Sequence, residues 1–201
     1  MSSTRAAFVN PHAAAFDAAY VARFGTPTHE RIVEIAAARI REDGIAGPGV
    51  AEIMQAAGLT HGGFYKHFGS RDELVAEAAD RAFADSERTV RELTDGADDP
   101  LGSLVDWYVS AQHRDNPATG CPVVALGADV RRADDRVRAA YREQVERYLA
   151  NVERVIGGED ARRRATVALS TLVGSIVLAR AIGDAPLSDE ILRDVRAALQ
   201  G

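Results

Sequence analysis

Hydrogen-bond donors are concentrated in one short stretch of the chain, between Gly58 and Arg71. Lys66 and Arg71 are cationic, His61 and His67 add imidazole nitrogens, and the stretch contains no Asp or Glu. Groups of this kind are suited to phosphate oxygens and to the acceptor-rich edges of bases. The stretch therefore favours DNA as its partner.

The rest of the chain offers little for catalysis or metal binding. No two histidines have the i, i+4 spacing of metal ligands, and neither a Gly-rich phosphate loop nor a nucleophile elbow is present. The single cysteine, Cys121, excludes an intramolecular disulfide and a cysteine-based zinc cluster. We therefore expect no enzymatic activity and no cofactor.

Two short helices joined by a tight turn are predicted to position the donor-rich stretch. The first has an apolar stripe with i, i+3, i+4, i+7 spacing, made of Val50, Ile53, Met54 and Ala57. Gly58 tolerates a positive φ angle and ends this helix, and Thr60 is a suitable N-cap for the next one.

The second helix is predicted from about His61 to Phe68, with Phe64 and Phe68 as its buried anchors. Its two consecutive glycines, Gly62 and Gly63, each cost about 1 kcal/mol of helix propensity relative to alanine. A helix that tolerates this cost is expected to let a bulky partner approach its backbone.

Further helices flank this unit. The first is predicted to begin at Thr26 or Thr28 and to end at Gly44. Ser70-x-x-Glu73 is a capping box, so a long helix is predicted from about Arg71 to Leu93. Five more helical stretches are predicted over residues 101–114, 121–132, 134–156, 159–182 and 188–199.

The segment from Thr28 to Leu74 resembles the DNA-binding domain of the TetR family of transcriptional regulators. The resemblance rests on the box Phe64-Tyr65-Lys66-His67-Phe68 and on the helix start Ser70-Arg71-Asp72-Glu73-Leu74. It implies an all-α fold, with an N-terminal three-helix helix-turn-helix domain and a C-terminal helical bundle for ligand binding and dimerisation. The expected boundaries are an N-terminal extension over 1–25, the DNA-binding domain over 26–70 and the ligand-binding and dimerisation domain over 71–201.

The resemblance implies a ligand-responsive repressor that binds a palindromic operator as a dimer and is released by a small molecule. A helical interaction module that does not bind DNA is the alternative. By position, the hydroxyls of Thr60 and Tyr65 and the charge of Arg71 are expected at phosphates, and Lys66 and His67 at phosphates or base edges. The start of the recognition helix, His61-Gly62-Gly63, is expected in the major groove. For His67, packing against Phe68 is an equally open role.

A regulatory domain of this kind is expected to enclose a pocket that is apolar with a few polar groups. The candidate lining residues are aromatic or polar side chains on the predicted helices, for which ordinary core packing is the alternative: Phe83, Trp107, Tyr108, His113, Cys121, Tyr141 and Tyr148.

Cys121 has a second possible role. It follows Gly120 at a predicted helix start, where the helix dipole favours the reactive thiolate. The stretch GCPVVALGADV also resembles a TetR-family branch that includes electrophile-sensing repressors. The alternative is a buried cysteine that packs as a small apolar side chain.

The helix over residues 159–182 is apolar nearly all round, and a single monomer core covers only one side of it. Its small residues Ala168, Gly174 and Ser175 would let a second helix approach closely. We therefore expect a homodimer with twofold symmetry. A helix central to a monomeric bundle is the alternative.

Length and composition set the remaining limits. The chain has 201 residues, 46% of them hydrophobic, which is ample for a packed core. We find no run of about 18 apolar residues and no secretory signal layout, and therefore expect a cytoplasmic protein without a membrane span. The net charge of −6 indicates an acidic body that carries a locally cationic DNA-reading unit. Residues 1–25 are interpreted either as a packing helix or as a disordered tail.

Overall fold

A computed structural model describes residues 27–47 and 49–201. Within those ranges the chain forms helices and no β-strands, as the fold class predicted. The α-helices are α1 (Pro27–Asp43), α2 (Val50–Ala56), α3 (Arg71–Thr94), α4 (Pro100–Tyr108), α5 (Ala111–Asp115), α6 (Pro122–Leu126), α7 (Asp135–Ile156), α8 (Ala161–Ile182) and α9 (Pro186–Gln200). The predictions for residues 1–25 lie outside the described residues.

The helices α1 and α2, together with residues 57–70, form a unit that we call the reading head. Its core consists of fully buried side chains from each segment and from the start of α3: Ile32, Ile40, Met54, Phe64, Phe68 and Leu74. Gly44 and Gly58 end α1 and α2 with φ angles of +79° and +71°, as expected for glycine C-caps.

The predicted recognition helix is instead a six-residue 3₁₀ helix, His61–Lys66. Its paired glycines have low α-helical propensity, and a short segment can satisfy its donors with i→i+3 bonds. Phe64 and Phe68 are nevertheless both buried, with ring centroids 5.5 Å apart, as the sequence predicted.

The long helix α3 begins where the capping box predicted. The Ser70 hydroxyl accepts a hydrogen bond from the Glu73 backbone N–H at 3.1 Å. The Glu73 carboxylate reaches back one residue further than in a standard box and accepts the Gly69 backbone N–H at 2.6 Å.

Two stretches that were predicted as single helices are divided. Residues 101–114 form α4 and α5, because the Ser110 hydroxyl bonds to the end of α4 and caps the new helix. It donates to the Trp107 carbonyl at 2.7 Å and accepts from the His113 N–H at 3.1 Å. Residues 121–132 form α6 and a separate 3₁₀ turn, Val130–Arg132.

The helix α8 buries one face and exposes the other. Its buried face packs against α7 and α9 and includes Ala165, Leu172 and Ile176. On length and composition alone, α8 is apolar enough to cross a membrane. The expectation that the sequence contains no segment apolar enough to span a membrane was therefore wrong. The core helix of a soluble protein can have the same length and composition, so this finding is weak evidence for a membrane span.

Candidate DNA-binding surface and effector site

The exposed face of the 3₁₀ helix carries the predicted donors. Tyr65 is 72% exposed although it lies one residue from the buried Phe64. Thr60, His61 and Lys66 are exposed as well. Burial of the phenylalanines orients this segment, so its donors face solvent together.

Neither glycine of this segment is required by the fold. A Cβ atom at Gly62 would meet no atom within 4 Å, and one at Gly63 would make ordinary contacts, the nearest being Met54 Cε at 3.6 Å. Neither residue has a positive φ angle. Gly62 therefore leaves open space next to the backbone, whereas Gly63 lies against Met54 and Thr60.

His67 lies at the edge of this face and is half-buried. Its ring centroid is 6.3 Å from that of Phe68 and 6.2 Å from that of His29 on α1. His29 stacks on Phe68 at 4.4 Å and its Nε2 atom is 2.7 Å from the Glu77 carboxylate. These contacts tie the 3₁₀ segment to α1 and α3.

Arg71 lies beside the turn that follows α1. Its Nη2 atom donates to the Ile45 carbonyl at 2.6 Å. On the other side of this turn, the Asp129 carboxylate accepts the Ile45 backbone N–H at 3.0 Å. The turn is thus held by Arg71 of α3 and by Asp129, which lies between α6 and the 3₁₀ turn. The sequence did not indicate this structural contact of Arg71.

The predicted ligand-binding residues divide into two groups. Phe83 and Tyr141 make an edge-to-face contact at 6.2 Å, and the Tyr141 hydroxyl donates to the Val123 carbonyl at 3.1 Å. The other five, together with Ser86 and Gln144, surround a common region that we call the aromatic cluster: Ser86, Trp107, Tyr108, His113, Cys121, Gln144 and Tyr148.

His113 is 4% exposed and stacks on Trp107, with the ring centroids 4.6 Å apart. Its Nδ1 atom donates to the Tyr108 carbonyl at 2.7 Å, and its Nε2 atom accepts the Cys121 backbone N–H at 2.9 Å. Burial lowers the pKa of His113 from 6.5 to about 4, with a further contribution from Arg180. His113 is therefore a neutral structural hub, and both of its nitrogens are used within the protein.

Cys121 is 1% exposed and lies beside two tyrosines. Its Sγ atom is 3.9 Å from the Tyr148 hydroxyl, which also forms a short hydrogen bond with the Ser86 hydroxyl. Burial, followed by the neighbouring Cys121, raises the pKa of both Tyr108 and Tyr148 well above the usual value. Both phenols therefore stay protonated and can act as donors.

Three polar atoms of the cluster have no hydrogen-bond partner among the described residues. They are the Tyr108 hydroxyl oxygen and both amide atoms of Gln144, whose side chain is 1% exposed. Gln144 lies next to the Tyr148 hydroxyl without reaching good hydrogen-bond geometry. Unsatisfied buried polar atoms are costly and uncommon in folded proteins, so they mark a place where a bound molecule would gain hydrogen bonds.

An apolar cavity lies beside two tyrosines of the cluster. Tyr108 and Tyr148 border it, and Val90, Leu104 and Leu172 supply much of its remaining wall. Its volume of about 10 Å³ is near the minimum for one water molecule. A larger ligand could enter only if the surrounding side chains moved apart.

A helix-turn-helix head joined by a long helix to an all-helical body defines a DNA-binding regulator. The sequence profile described as bacterial regulatory proteins of the tetR family matches residues 32–78, and the tetracyclin repressor-like C-terminal domain profile matches residues 99–201. An HTH-type transcriptional regulator of Mycobacterium tuberculosis strain H37Rv is 30% identical over 184 residues, covering 85% of this chain and 93% of the relative. The chain belongs to the TetR family of transcriptional regulators, a family of DNA-binding proteins rather than enzymes.

Further relatives agree with this assignment. The HTH-type transcriptional repressor DhaR of Mycobacterium sp. strain GP1 is 24% identical over 131 residues, covering 65% of this chain and 66% of DhaR. The reduced form of Escherichia coli NemR has the same fold, with a TM-score of 0.74 and 18% identity over 87% of this chain and 96% of that one. A TetR regulator from Chloroflexus aurantiacus also has a TM-score of 0.74, with 24% identity over 86% and 91% of the two chains.

Three residues of the candidate sites were missed by the sequence analysis. Ser86 and Gln144 lie among apolar neighbours on α3 and α7, at positions that helical spacing assigns to the buried face. A polar residue on such a face was the available signal. Arg41, in the last turn of the 17-residue helix α1, is only 8% exposed and lines a cleft between α1 and the C-terminal helices. Its burial depends on those helices and could not be read from α1 alone.

Proposed function

We propose that this protein is a homodimeric repressor that binds a palindromic operator and is released from it by a small molecule. The observation that carries the DNA-binding part is the exposed donor face around Tyr65, which is 72% exposed between two buried phenylalanines. TetR-family regulators bind DNA operators and act as dimers. They are typically cytoplasmic, and we expect the same location for this protein.

An apolar stripe on α8 supports the dimer. It contains Val167, Val177, Leu178 and Ile182, which are 60%, 46%, 55% and 36% exposed, and Leu187 continues it onto α9 at 52%. A Cβ atom at Gly174, within the stripe, would meet no atom within 4 Å, so a second helix has room to approach. A contiguous apolar patch of this kind is typical of a protein interface. Twofold pairing through α8 would provide the two reading heads that a palindrome requires.

The aromatic cluster is the proposed effector site. Its unpartnered Tyr108 hydroxyl and Gln144 amide together offer hydrogen-bond donors and an acceptor beside an apolar cavity. The effector that suits them is small and neutral, with one polar end that both donates and accepts hydrogen bonds. Ser86 and Val90 belong to α3, so a ligand that opened the cavity would displace the helix that carries the reading head.

Covalent sensing through Cys121 is the second candidate. The cysteine lies in the same cluster, within reach of the Tyr148 hydroxyl, and NemR, a structural relative, is known in a form described as reduced. Because Cys121 is 1% exposed, an electrophile would have to enter by the same opening as a non-covalent effector. The electrophile and the non-covalent effector would therefore enter the cluster through the same opening. They differ in that only the electrophile would form a covalent bond with Cys121.

The decisive experiment measures binding of the purified protein to the DNA flanking its own gene, across salt concentrations, before and after treatment with N-ethylmaleimide. Cys121→Ser is measured in parallel. Specific binding that the maleimide abolishes only in the wild type supports covalent sensing. Specific binding that is indifferent to it supports the non-covalent effector, and absence of specific binding would refute the repressor proposal.

Lys66 permits an independent test of the DNA-binding surface, because it is the only lysine in the sequence. Acetylation by an N-hydroxysuccinimide ester, read by mass spectrometry, therefore reports on this side chain with the α-amino group as an internal reference. Bound operator should protect Lys66 and leave the reference unchanged. Equal modification with and without DNA would remove Lys66 from the contact surface.

A further inference from the structure

A second cavity lies between the reading head and the C-terminal helices, and it shares no lining residue with the cavity beside the aromatic cluster. We call it the head–core cleft. Arg41 and Glu42 of α1 line it on the head side, and Pro117, Val124, Ala125 and Arg180 are among its residues on the other side. Its volume is about 480 Å³, which lies within the usual range for small-molecule sites.

Arg41 is the unusual member of this cleft. It is 8% exposed, and its guanidinium has no hydrogen bond or ion pair with any residue in the described parts of the chain. Its Nε atom is fully buried. Burial lowers the pKa of Arg41, while the Asp85 carboxylate acts in the opposite direction without forming an ion pair. A guanidinium that is desolvated but unpaired is costly unless an anion joins it.

The other two arginines of the cleft are engaged within the protein. Arg114 donates to the Asp189 carboxylate at 2.6 Å and to the Asp115 carboxylate at 2.7 Å, which raises its pKa. Arg180 donates to the carbonyls of His113 and Arg114 at 2.7 and 3.0 Å. This contrast singles out Arg41 as the cation that is available to a ligand.

The remaining lining limits what kind of anion fits. Glu42, Asp115 and Asp184 also line the cleft, and their carboxylates would repel a ligand with several negative charges. Pro117, Val124 and Ala125 offer apolar surface on the core side. A planar carboxylate matches the geometry of a guanidinium, which can donate two parallel hydrogen bonds to it.

We propose that the head–core cleft binds a small organic monocarboxylate, whose carboxylate pairs with Arg41 while its apolar part covers Pro117, Val124 and Ala125. Arg41 belongs to the reading head and the apolar surface belongs to the core. The bound acid therefore joins the two parts and favours the head orientation seen in this structure. The cleft has other lining residues than the cavity beside the aromatic cluster, and its ligand is charged rather than neutral.

The test measures thermal unfolding of the full chain in titrations with hexanoate and benzoate, and with hexanamide and benzamide as neutral counterparts. We expect a saturable rise in Tm with at least one acid and none with its amide. In Arg41→Gln the affinity for the acid should fall by roughly tenfold or more. Arg31→Gln is the matched control, because Arg31 is an exposed arginine on the same helix.

Arg41→Gln is expected to fold, since it removes a buried charge that has no partner, and its Tm without ligand should equal or exceed that of the wild type. The proposal is wrong if neither acid binds saturably, if acid and amide bind equally, or if Arg41→Gln binds like the wild type. It is also wrong if acid binding survives Arg41→Gln and is lost in Gln144→Leu, which would place the acid in the aromatic cluster. No DNA is present, so the outcome is independent of the repressor proposal.

Discussion

The reading head and the aromatic cluster both contain polar groups that lack partners within the protein, but in opposite surroundings. On the reading head, Tyr65 and Lys66 are exposed to water, which we propose that DNA replaces. In the cluster, Gln144 and Tyr108 are buried, and nothing among the described residues satisfies the atoms concerned. The first arrangement adds nothing to the cost of folding, whereas the second lowers stability, which a ligand that partnered these atoms would restore. Substitutions on the reading head should therefore change operator affinity but not stability, whereas those at the unpartnered groups of the cluster should change stability but not basal operator affinity.

The largest effect is expected from the α8 stripe, the proposed dimer interface, because binding to a palindrome requires two reading heads that act together. Leu178→Glu places a carboxylate within the proposed interface and should yield a monomer, as measured by analytical ultracentrifugation. Operator affinity should fall by about 10³-fold, toward the non-specific level. Ala139→Glu adds the same charge at an exposed position on α7 and should leave a dimer. A dimeric Leu178→Glu protein would exclude this surface.

The next effect concerns a buried polar residue that is fully partnered. Because the pKa of folded His113 is about 4 against 6.5 for the free side chain, protonation favours the unfolded state. The stabilisation is present above pH 6.5 and is lost as the pH falls from 6.5 toward 4, by about 3 kcal/mol.

Urea unfolding of the wild type and of His113→Gln across this pH range isolates the contribution. The difference between their free energies of unfolding should shrink as the pH falls, since only the wild type loses the histidine's stabilisation. A difference that stays constant from pH 7 to pH 4 would contradict the proposed burial of a neutral imidazole.

A smaller effect, on operator affinity, is expected for an exposed residue of the reading head. Lys66→Ala should weaken operator binding by roughly tenfold and reduce the salt slope by about one, if the ammonium contacts a phosphate. Its thermal stability should match that of the wild type, because Lys66 is exposed and forms no ion pair with the described residues. An unchanged salt slope would remove Lys66 from the phosphate contacts.

The sequence predicted the reading head closely because its signals are local. Gly44, Gly58 and Ser70 determine where helices end or begin, and each acts through the backbone of its immediate neighbours. The 3₁₀ form of His61–Lys66 was not predicted, because low propensity alone does not specify which hydrogen-bond pattern replaces the α-helix. The break at Ser110 was likewise missed, although serine is a strong N-cap residue.

The effector region was predictable only in part. Helical spacing placed Tyr108 and Tyr148 on inner faces, and both are buried. The same reasoning could not show that His113 uses both nitrogens, because its partners, the Tyr108 carbonyl and the Cys121 N–H, lie outside its own short helix. Nor could it show that Arg41 lacks a partner, because this depends on how other helices pack around its side chain. Hydrogen bonds between separate elements leave no periodic signal in the sequence.

The smallest change in free energy among these predictions, and the sharpest test of the comparison, is expected for Gln144→Leu. A leucine of similar size removes two unpartnered buried polar atoms, so the free energy of unfolding should rise by about 1 kcal/mol. Basal operator affinity should not change, because Gln144 is in α7 and does not belong to the reading head. Response to a neutral effector should be lost, since the ligand would no longer find its hydrogen-bond partners.

Gln112→Leu is the matched control, because Gln112 is exposed on α5 and the substitution is the same. It should neither raise stability nor alter the response. If Gln144→Leu destabilised the protein instead, its amide would have to be satisfied in the folded state, and the cluster would then be an ordinary polar core. In that case the polar groups of the cluster would have their partners within the protein. Of the two regions, only the reading head would then depend on a partner from outside the chain.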